Sequence, residues 1–175
     1  MNTLPPLLRH VVGVWFFLTL ALATGLAVNA LRPTPLPLRY APPEMRLKST
    51  VERLGVSGAA TVAIDGDVGL EEMVRVIATH GALILDARPE VFYRLGHIPG
   101  ALSLPRDDFE TQYEKLRTSL EAQRADAIIV YCASETCDDS ALVAEALSKL
   151  GYAHVRLYRG GWSDWTSAHQ PEETP

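Results

Sequence analysis

The stretch "IIVYCASETCDDSALVAEAL", residues 128–147, changes character midway. With Ala127 its first residues form an uninterrupted apolar run ending at Cys132. That pattern suits a strand in the middle of a sheet covered on both faces. From Ser140 to Leu150 apolar residues recur at helical spacing, and Gly151 stands where such a helix would end. A short polar loop joins the two. It holds both cysteines of the chain, Cys132 and Cys137, together with Glu135, Asp138 and Asp139.

The same switching of period continues on either side. "TVAID" (61–65) is a short strand candidate, and Leu70, Met73, Val74, Ile77 and Ala78 mark one face of a helix closed by Gly81. "ALILD" (82–86) and "ALSLP" (101–105) follow as strand candidates, the second stopped by Pro105. Phe109, Tyr113, Leu116 and Leu120 line a second helix. "HVRLY" (154–158) is a last strand, and "GGWSDW" opens a short helix at residue 160. Alternation of this kind predicts an α/β fold with a mainly parallel sheet and helices on both faces. Ligands of such sheets collect beyond the C-terminal ends of the strands, which is where residues 132–140 fall.

Length and composition bound the rest. The 175 residues leave room for one ordinary domain and an appendage. A hydrophobic share of 47% is that of a globular chain. The net charge of -5 argues against a nucleic-acid partner, which needs a basic face. Two cysteines are too few for a disulfide scaffold, and no histidine pair stands at zinc-ligand spacing from them, so no metal is expected.

The appendage is N-terminal. Residues 11–28 carry no charge, and extension to Leu31 admits only Asn29 as a strongly polar residue. A bilayer core needs roughly 20 helical residues, so 11–31 is read as one transmembrane helix after a tail at 1–10. A signal peptide cleaved at "VNA" (28–30) is the competing reading. Five prolines between residues 33 and 43 make 32–60 a semi-rigid spacer. The globular domain is expected at 61–170, with a C-terminal tail at 171–175. Arg32, Arg39, Arg46 and Lys48 outnumber Arg9 and His10 across the span, which read literally places the domain in the cytoplasm. Large domains after a first span translocate regardless of nearby charge, and a short tail before an apolar run resembles an export signal. The expectation adopted is a single-pass membrane protein with its domain on the extracytoplasmic, periplasmic side.

A thiolate, not a thiol, is the nucleophile, and a cysteine near a helix N-terminus has its pKa lowered. A strand-loop-helix turn also gathers backbone N–H groups into an anion cradle. Cys132 therefore stands where an activated sulfur is useful; a buried structural cysteine is the plainer alternative.

Three linked motifs carry a family resemblance. "LILDARPEVFYRLGHIPGALSLP" (83–105), "IVYCASETCDDS" (129–140) and "LGYAHVRLYRGGWSDW" (150–165) resemble, in order and spacing, the signatures of the rhodanese-like domain. The resemblance implies a three-layer rhodanese-like α/β fold and a cofactor-free sulfurtransferase. Cys132 would take sulfane sulfur from a persulfide, polysulfide or thiosulfate donor, hold it as a persulfide, and pass it to a thiol acceptor. The cradle would be Ala133, Ser134, Glu135, Thr136, Asp138, Asp139 and Ser140. Asp86, Arg88, Gly96, His97, Pro99, Gly100, Gly160, Gly161, Trp162 and Trp165 would be structural, with His97 bonding backbone and both tryptophans packed as core.

Two departures qualify it. Many thiosulfate-using relatives carry Arg or Lys in this loop, and here the loop is acidic, which opposes a dianionic donor. Asp138 and Asp139 are expected to cap the following helix. Asp138 also stands where Cys-x5-Arg phosphatases of similar fold have their arginine, so phosphoryl transfer is not expected. Cys137 is a candidate resolving thiol, provided its Cα lies within about 7 Å of that of Cys132. Two other functions stay open: a dithiol-disulfide oxidoreductase using both cysteines, and a non-catalytic module docking a membrane redox or sulfur-handling protein.

Overall fold

The apolar runs form four short strands: β1 (Leu83–Asp86), β2 (Leu102–Ser103), β3 (Ile128–Tyr131) and β4 (Val155–Tyr158). In this computed structural model, which describes residues 6–33, 35–36, 38, 41–54, 64–122 and 127–175, they make one parallel sheet in the order β2-β1-β3-β4. The most apolar run, β3, lies inside the sheet, and all its residues are buried. Of the expected strand at 61–65, residues 61–63 lie outside the described residues. Backbone from Asp65 to Val68 does pair with the free edge of β4, through Asp65 N–H to Val155 O and Val68 N–H to Leu157 O.

Two units divide the chain, Met1–Tyr40 and Ala41–Pro175. In the first, α1 (Pro6–Ala30) holds a 21-residue segment, His10–Ala30, with mean hydropathy 2.2. It is long and apolar enough to cross a membrane.

In the second unit, helices cover both faces of the sheet: α2 (Pro43–Leu54), α3 (Leu70–Thr79), α4 (Glu90–Leu95), α5 (Phe109–Ala122), α6 (Asp139–Lys149) and α7 (Gly161–Ser167). Strand alternation divides the core in two. Leu83, Leu85, Ile128, Val130, Val155 and Leu157 pack with Leu47 of α2, Phe109 and Tyr113 of α5, and Val143 and Leu147 of α6. Ile84, Ile129, Tyr131 and Tyr158 pack on the other face with Met73 of α3 and Trp165 of α7.

Three local outcomes differ from the sequence reading. Residues 43–54, expected within the spacer, are a helix with Leu47 and Thr50 buried. The left-handed residue ending α3 is His80 (φ 50°), and the N–H of Gly81 then bonds Val76 O. Helix α4 sits inside the stretch that the first motif covers and was not foreseen. Its exposed Val91, Phe92 and Leu95 give it no apolar stripe facing the core.

Candidate active site

Strand β3 delivers Cys132 to the C-terminal edge of the sheet, and α6 starts seven residues later at Asp139. Between them the chain turns tightly: Cys137 N–H bonds Ser134 O at 3.0 Å, and the Ser134 and Thr136 hydroxyls are 3.2 Å apart. Among the described residues the amides of Ala133, Ser134, Glu135 and Thr136 find no acceptor within the protein. Four successive unpaired donors in a loop before a helix are of the kind that bind anions.

The two cysteines meet. Their Cα atoms are 6.3 Å apart and their sulfurs are joined as a disulfide. They differ in access: Cys132 is 1% exposed, whereas Cys137 is half-buried and lines a cavity of about 400 Å3. Cys132 Sγ lies 3.2 Å from Cys137 O.

Helix α7 holds the start of the loop from the side. Trp162 N–H bonds Cys132 O and Ser163 N–H bonds Ala133 O, both at 2.9 Å. The approach requires Gly161: it sits at φ +61°, and a Cβ there would lie 2.5 Å from Cys132 O. Ser140, the last of the expected cradle residues, is buried in α6.

Asp86 and Arg88 form a buried pair behind the site. Arg88 Nη2 is 2.6 Å from Asp86 Oδ2, and the two side chains are 0% and 5% exposed. Arg88 also donates to Gly96 O at 2.7 Å and stacks on Trp162, its Cζ 4.5 Å from the ring centroid. Burial pulls the guanidinium pKa down, and the hydrogen bonds and charge of Asp86 outweigh it, so Arg88 stays charged. Tyr131 O–H donates to Asp86 Oδ2 at 2.7 Å and accepts from Ile98 N–H. Burial first, then the Asp86 charge, pushes that phenol far above its ordinary range, so it remains a donor.

His97 is buried and stacked on Tyr93, with Nδ1 3.0 Å from Tyr93 O. Its backbone pairs with Glu173 in both directions at 2.9 Å, and Glu173 Oε2 accepts from Gly100 N–H at 2.7 Å. The C-terminal tail is thereby fastened beside the site.

Three placements correct the sequence reading. Asp138 occupies the N-cap of α6 but its side chain makes no capping hydrogen bond. Asp139 does not cap either; it pairs with Arg106 at 3.0 Å. Burial raises its pKa, with Asp107 and Asp138 adding to the rise and Arg106 opposing it. Trp165 is core, its Nε1–H bonded to Pro171 O, but Trp162 is half-buried on the cavity wall.

Arg106, Tyr131, Phe92 and Glu172 were not singled out from the sequence. Arg106 was within reach, because it follows β2 at the C-terminal edge of the sheet, the edge at which β3 presents Cys132.

A parallel sheet that delivers a cysteine to the turn before a helix defines a class: α/β proteins with a cysteine at a strand-to-helix turn. Within that class the chain belongs to the rhodanese-like domain family, which residues 70–168 match. It is similar to the 3-mercaptopyruvate sulfurtransferase of Escherichia coli K12, at 34% identity over 112 residues, 51% of this chain and 39% of that one. It is also similar to the sulfur carrier protein TtuD of Thermus thermophilus, at 31% over 121 residues, 55% of this chain and 42% of that one. The chain thus spans about two fifths of the length of these curated relatives. A crystal structure of a Bacillus halodurans protein shares the fold, with TM-score 0.55 and 19% identity over 76% of this chain and 87% of that one.

Proposed function

We propose that the protein is a sulfurtransferase that carries sulfane sulfur as a persulfide on Cys132. The observation behind this reading is the placement of Cys132 at the head of an amide-lined turn, inside the stretch that matches the family. The Cys132 thiolate attacks the outer sulfur of a donor persulfide or polysulfide. The donor S–S bond breaks, the donor leaves as a thiolate or shorter polysulfide, and the persulfide forms. The turn's N–H groups stabilise its negative terminal sulfur. An acceptor thiolate then removes that sulfur and restores the Cys132 thiolate. The acids of the turn favour neutral or protein-borne donors over thiosulfate.

Cys137 acts as the resolving thiol. With the Cα atoms 6.3 Å apart, its thiolate can attack Cys132 Sγ, expel hydrosulfide and leave the disulfide. The sulfane sulfur is reduced by two electrons and the dithiol is oxidised by two. A dithiol reductant must then reopen the bridge. The same bridge supports a second reading, a dithiol-disulfide oxidoreductase, because Cys137 offers its sulfur to an incoming thiol while Cys132 is covered.

Helix α1 tethers the domain to a membrane, on the extracytoplasmic side.

The test is intact-mass spectrometry on the full chain in detergent, reduced and then given polysulfide or thiosulfate separately. Sulfur transfer predicts, in Cys137→Ser, a gain of one sulfur atom that cyanide removes and that Cys132→Ser lacks. Polysulfide should load faster than thiosulfate. Loss of two hydrogens without release of hydrosulfide, and with no sulfur gain in Cys137→Ser, would favour the oxidoreductase. No change with either donor would leave only a docking module.

A further inference from the structure

The cavity of about 400 Å3 beside the cysteine turn has walls from four elements: Phe92 and Leu95 of α4, Trp162 of α7, Ala133 and Cys137 of the turn, and Glu172. Phe92 and Leu95 are 51% and 74% exposed, an unusual surface for a six-residue helix, and both border this cavity. Its charged groups are unequal. Arg88 is matched by Asp86, and Asp139 is matched by Arg106. Among the described residues no cation stands within ion-pairing range of Glu172.

The position of Glu172 is built by its neighbours. Glu173 is fastened to His97 and Gly100, and Pro171 O takes the Trp165 indole N–H, so the residue between them is held on both sides. A Cβ on Gly96 would lie 3.2 Å from the Trp162 ring and 3.3 Å from Glu172 Oε2. The bare glycine leaves the carboxylate its place beside the ring.

We propose that this cavity binds the organic body of the sulfur acceptor, and that it selects a thiol with an apolar, non-anionic body. The proposal rests on the sulfurtransferase reading for its chemistry. The acceptor's apolar part lies against Phe92, Leu95 and Trp162, while Glu172 repels carboxylate or sulfonate groups and tolerates neutral or cationic ones. Its thiolate attacks the outer sulfur of the Cys132 persulfide. That S–S bond breaks, the electron pair returns to Cys132 as its thiolate, and the acceptor leaves as a persulfide. No outside oxidant or reductant is consumed.

The first test needs no sulfur transfer. In reduced full-length Cys132→Ser protein, Cys137 is the single thiol. Its alkylation by neutral iodoacetamide and anionic iodoacetate is compared with that of N-acetylcysteine amide. The preference for the neutral reagent should exceed the free-thiol value by about fivefold. Glu172→Gln should bring it near the free-thiol value and Glu172→Lys should invert it. N-benzylmaleimide should outpace N-ethylmaleimide, and Phe92→Asp should remove that advantage. Equal ratios for protein and free thiol would overturn the proposal, with circular dichroism confirming that each variant is folded.

The second test uses Cys137→Ser protein, in which the persulfide has no resolving thiol, loaded with polysulfide and then mixed with benzyl mercaptan or mercaptosuccinate. Benzyl mercaptan should discharge the persulfide faster, and Glu172→Lys should raise the mercaptosuccinate rate selectively. Reagent selectivity at Cys137 without polysulfide loading would retain the cavity's preference while removing the sulfurtransferase reading beneath it. Loading without any acceptor selectivity would do the reverse.

Discussion

At the scale of single residues, the buried Asp86–Arg88 pair ties several parts of the site together. Arg88 reaches three things at once: the Asp86 carboxylate at the end of β1, the Gly96 carbonyl after α4, and the face of Trp162 on the cavity wall. Asp86 in turn accepts from Tyr131, the residue before Cys132. The two charges are hidden from water, so neither can be removed alone without stranding the other. Asp86→Ala leaves a guanidinium with no counter-charge and a tyrosine O–H with no acceptor. The expected loss is about 3–5 kcal/mol, the range for a broken buried pair. Urea unfolding would read it as a lower midpoint with unchanged slope. A loss under about 1 kcal/mol, the scale of an exposed pair, would contradict this account. The family resemblance marks these two residues as structural. It did not show that Tyr131 and Trp162 complete the arrangement, because aromatic residues in an apolar run look alike whether they face the core or the site.

At the scale of elements, legibility followed periodicity. Strands β1, β3 and β4 and helices α3, α5 and α6 each announce themselves by an apolar run or a helical stripe. Helix α4 was missed because its apolar residues face outward, so the rule that finds helices by their buried face fails there. Helix α2 was missed for another reason: prolines at 42 and 43 extend the spacer's composition up to its first turn, where proline is in fact tolerated. The candidate site divides in the same way. Cys132 and Cys137 were legible because a strand run ends on one and the same loop holds the other. Glu172 was not, since it reaches the site from a segment distant in sequence. The consequence for α2 is measurable. Leu47 is 6% exposed against α5 and α6, and Thr50 and Arg53 both bond Glu110 of α5. Leu47→Ala should therefore cost about 2–4 kcal/mol by loss of buried area and cavity formation. Arg53→Ala should cost under about 1 kcal/mol, because that ion pair is exposed. Thermal melts of both variants test the contrast. Equal, small shifts would mean that α2 lies on the domain without stabilising it.

At the scale of the whole molecule, the proposed membrane tether and the cysteine turn have to be considered together. A tethered domain faces one compartment for its working life, and the compartment sets the state of a neighbouring cysteine pair. The pair here is close enough to close, and under the function proposed above its bridge decides which chemistry is available: open, Cys132 accepts sulfur; closed, only disulfide exchange at Cys137 remains. On an oxidising side the bridge forms whenever the persulfide is resolved, and turnover depends on a reductant delivered there. On a reducing side the bridge is transient and Cys132 rests ready to load. The extracytoplasmic placement proposed above therefore predicts a mostly oxidised pair in living cells. Acid-quenched cells treated with a polymer-tagged maleimide should show no mass increment for the wild-type chain, whose only cysteines are these two. Prior reduction should produce two increments. Sidedness is read independently from Glu135→Cys in a Cys132→Ser, Cys137→Ser background, since Glu135 is exposed. A membrane-impermeant maleimide should label it in intact protoplasts. Label only after lysis, with a reduced pair in quenched cells, would place the domain in the cytoplasm and make Cys137 a brief visitor to the bridge. Label outside with a reduced pair would separate the two arguments: the orientation would stand, and a dedicated reductant would have to be holding the site open against its surroundings.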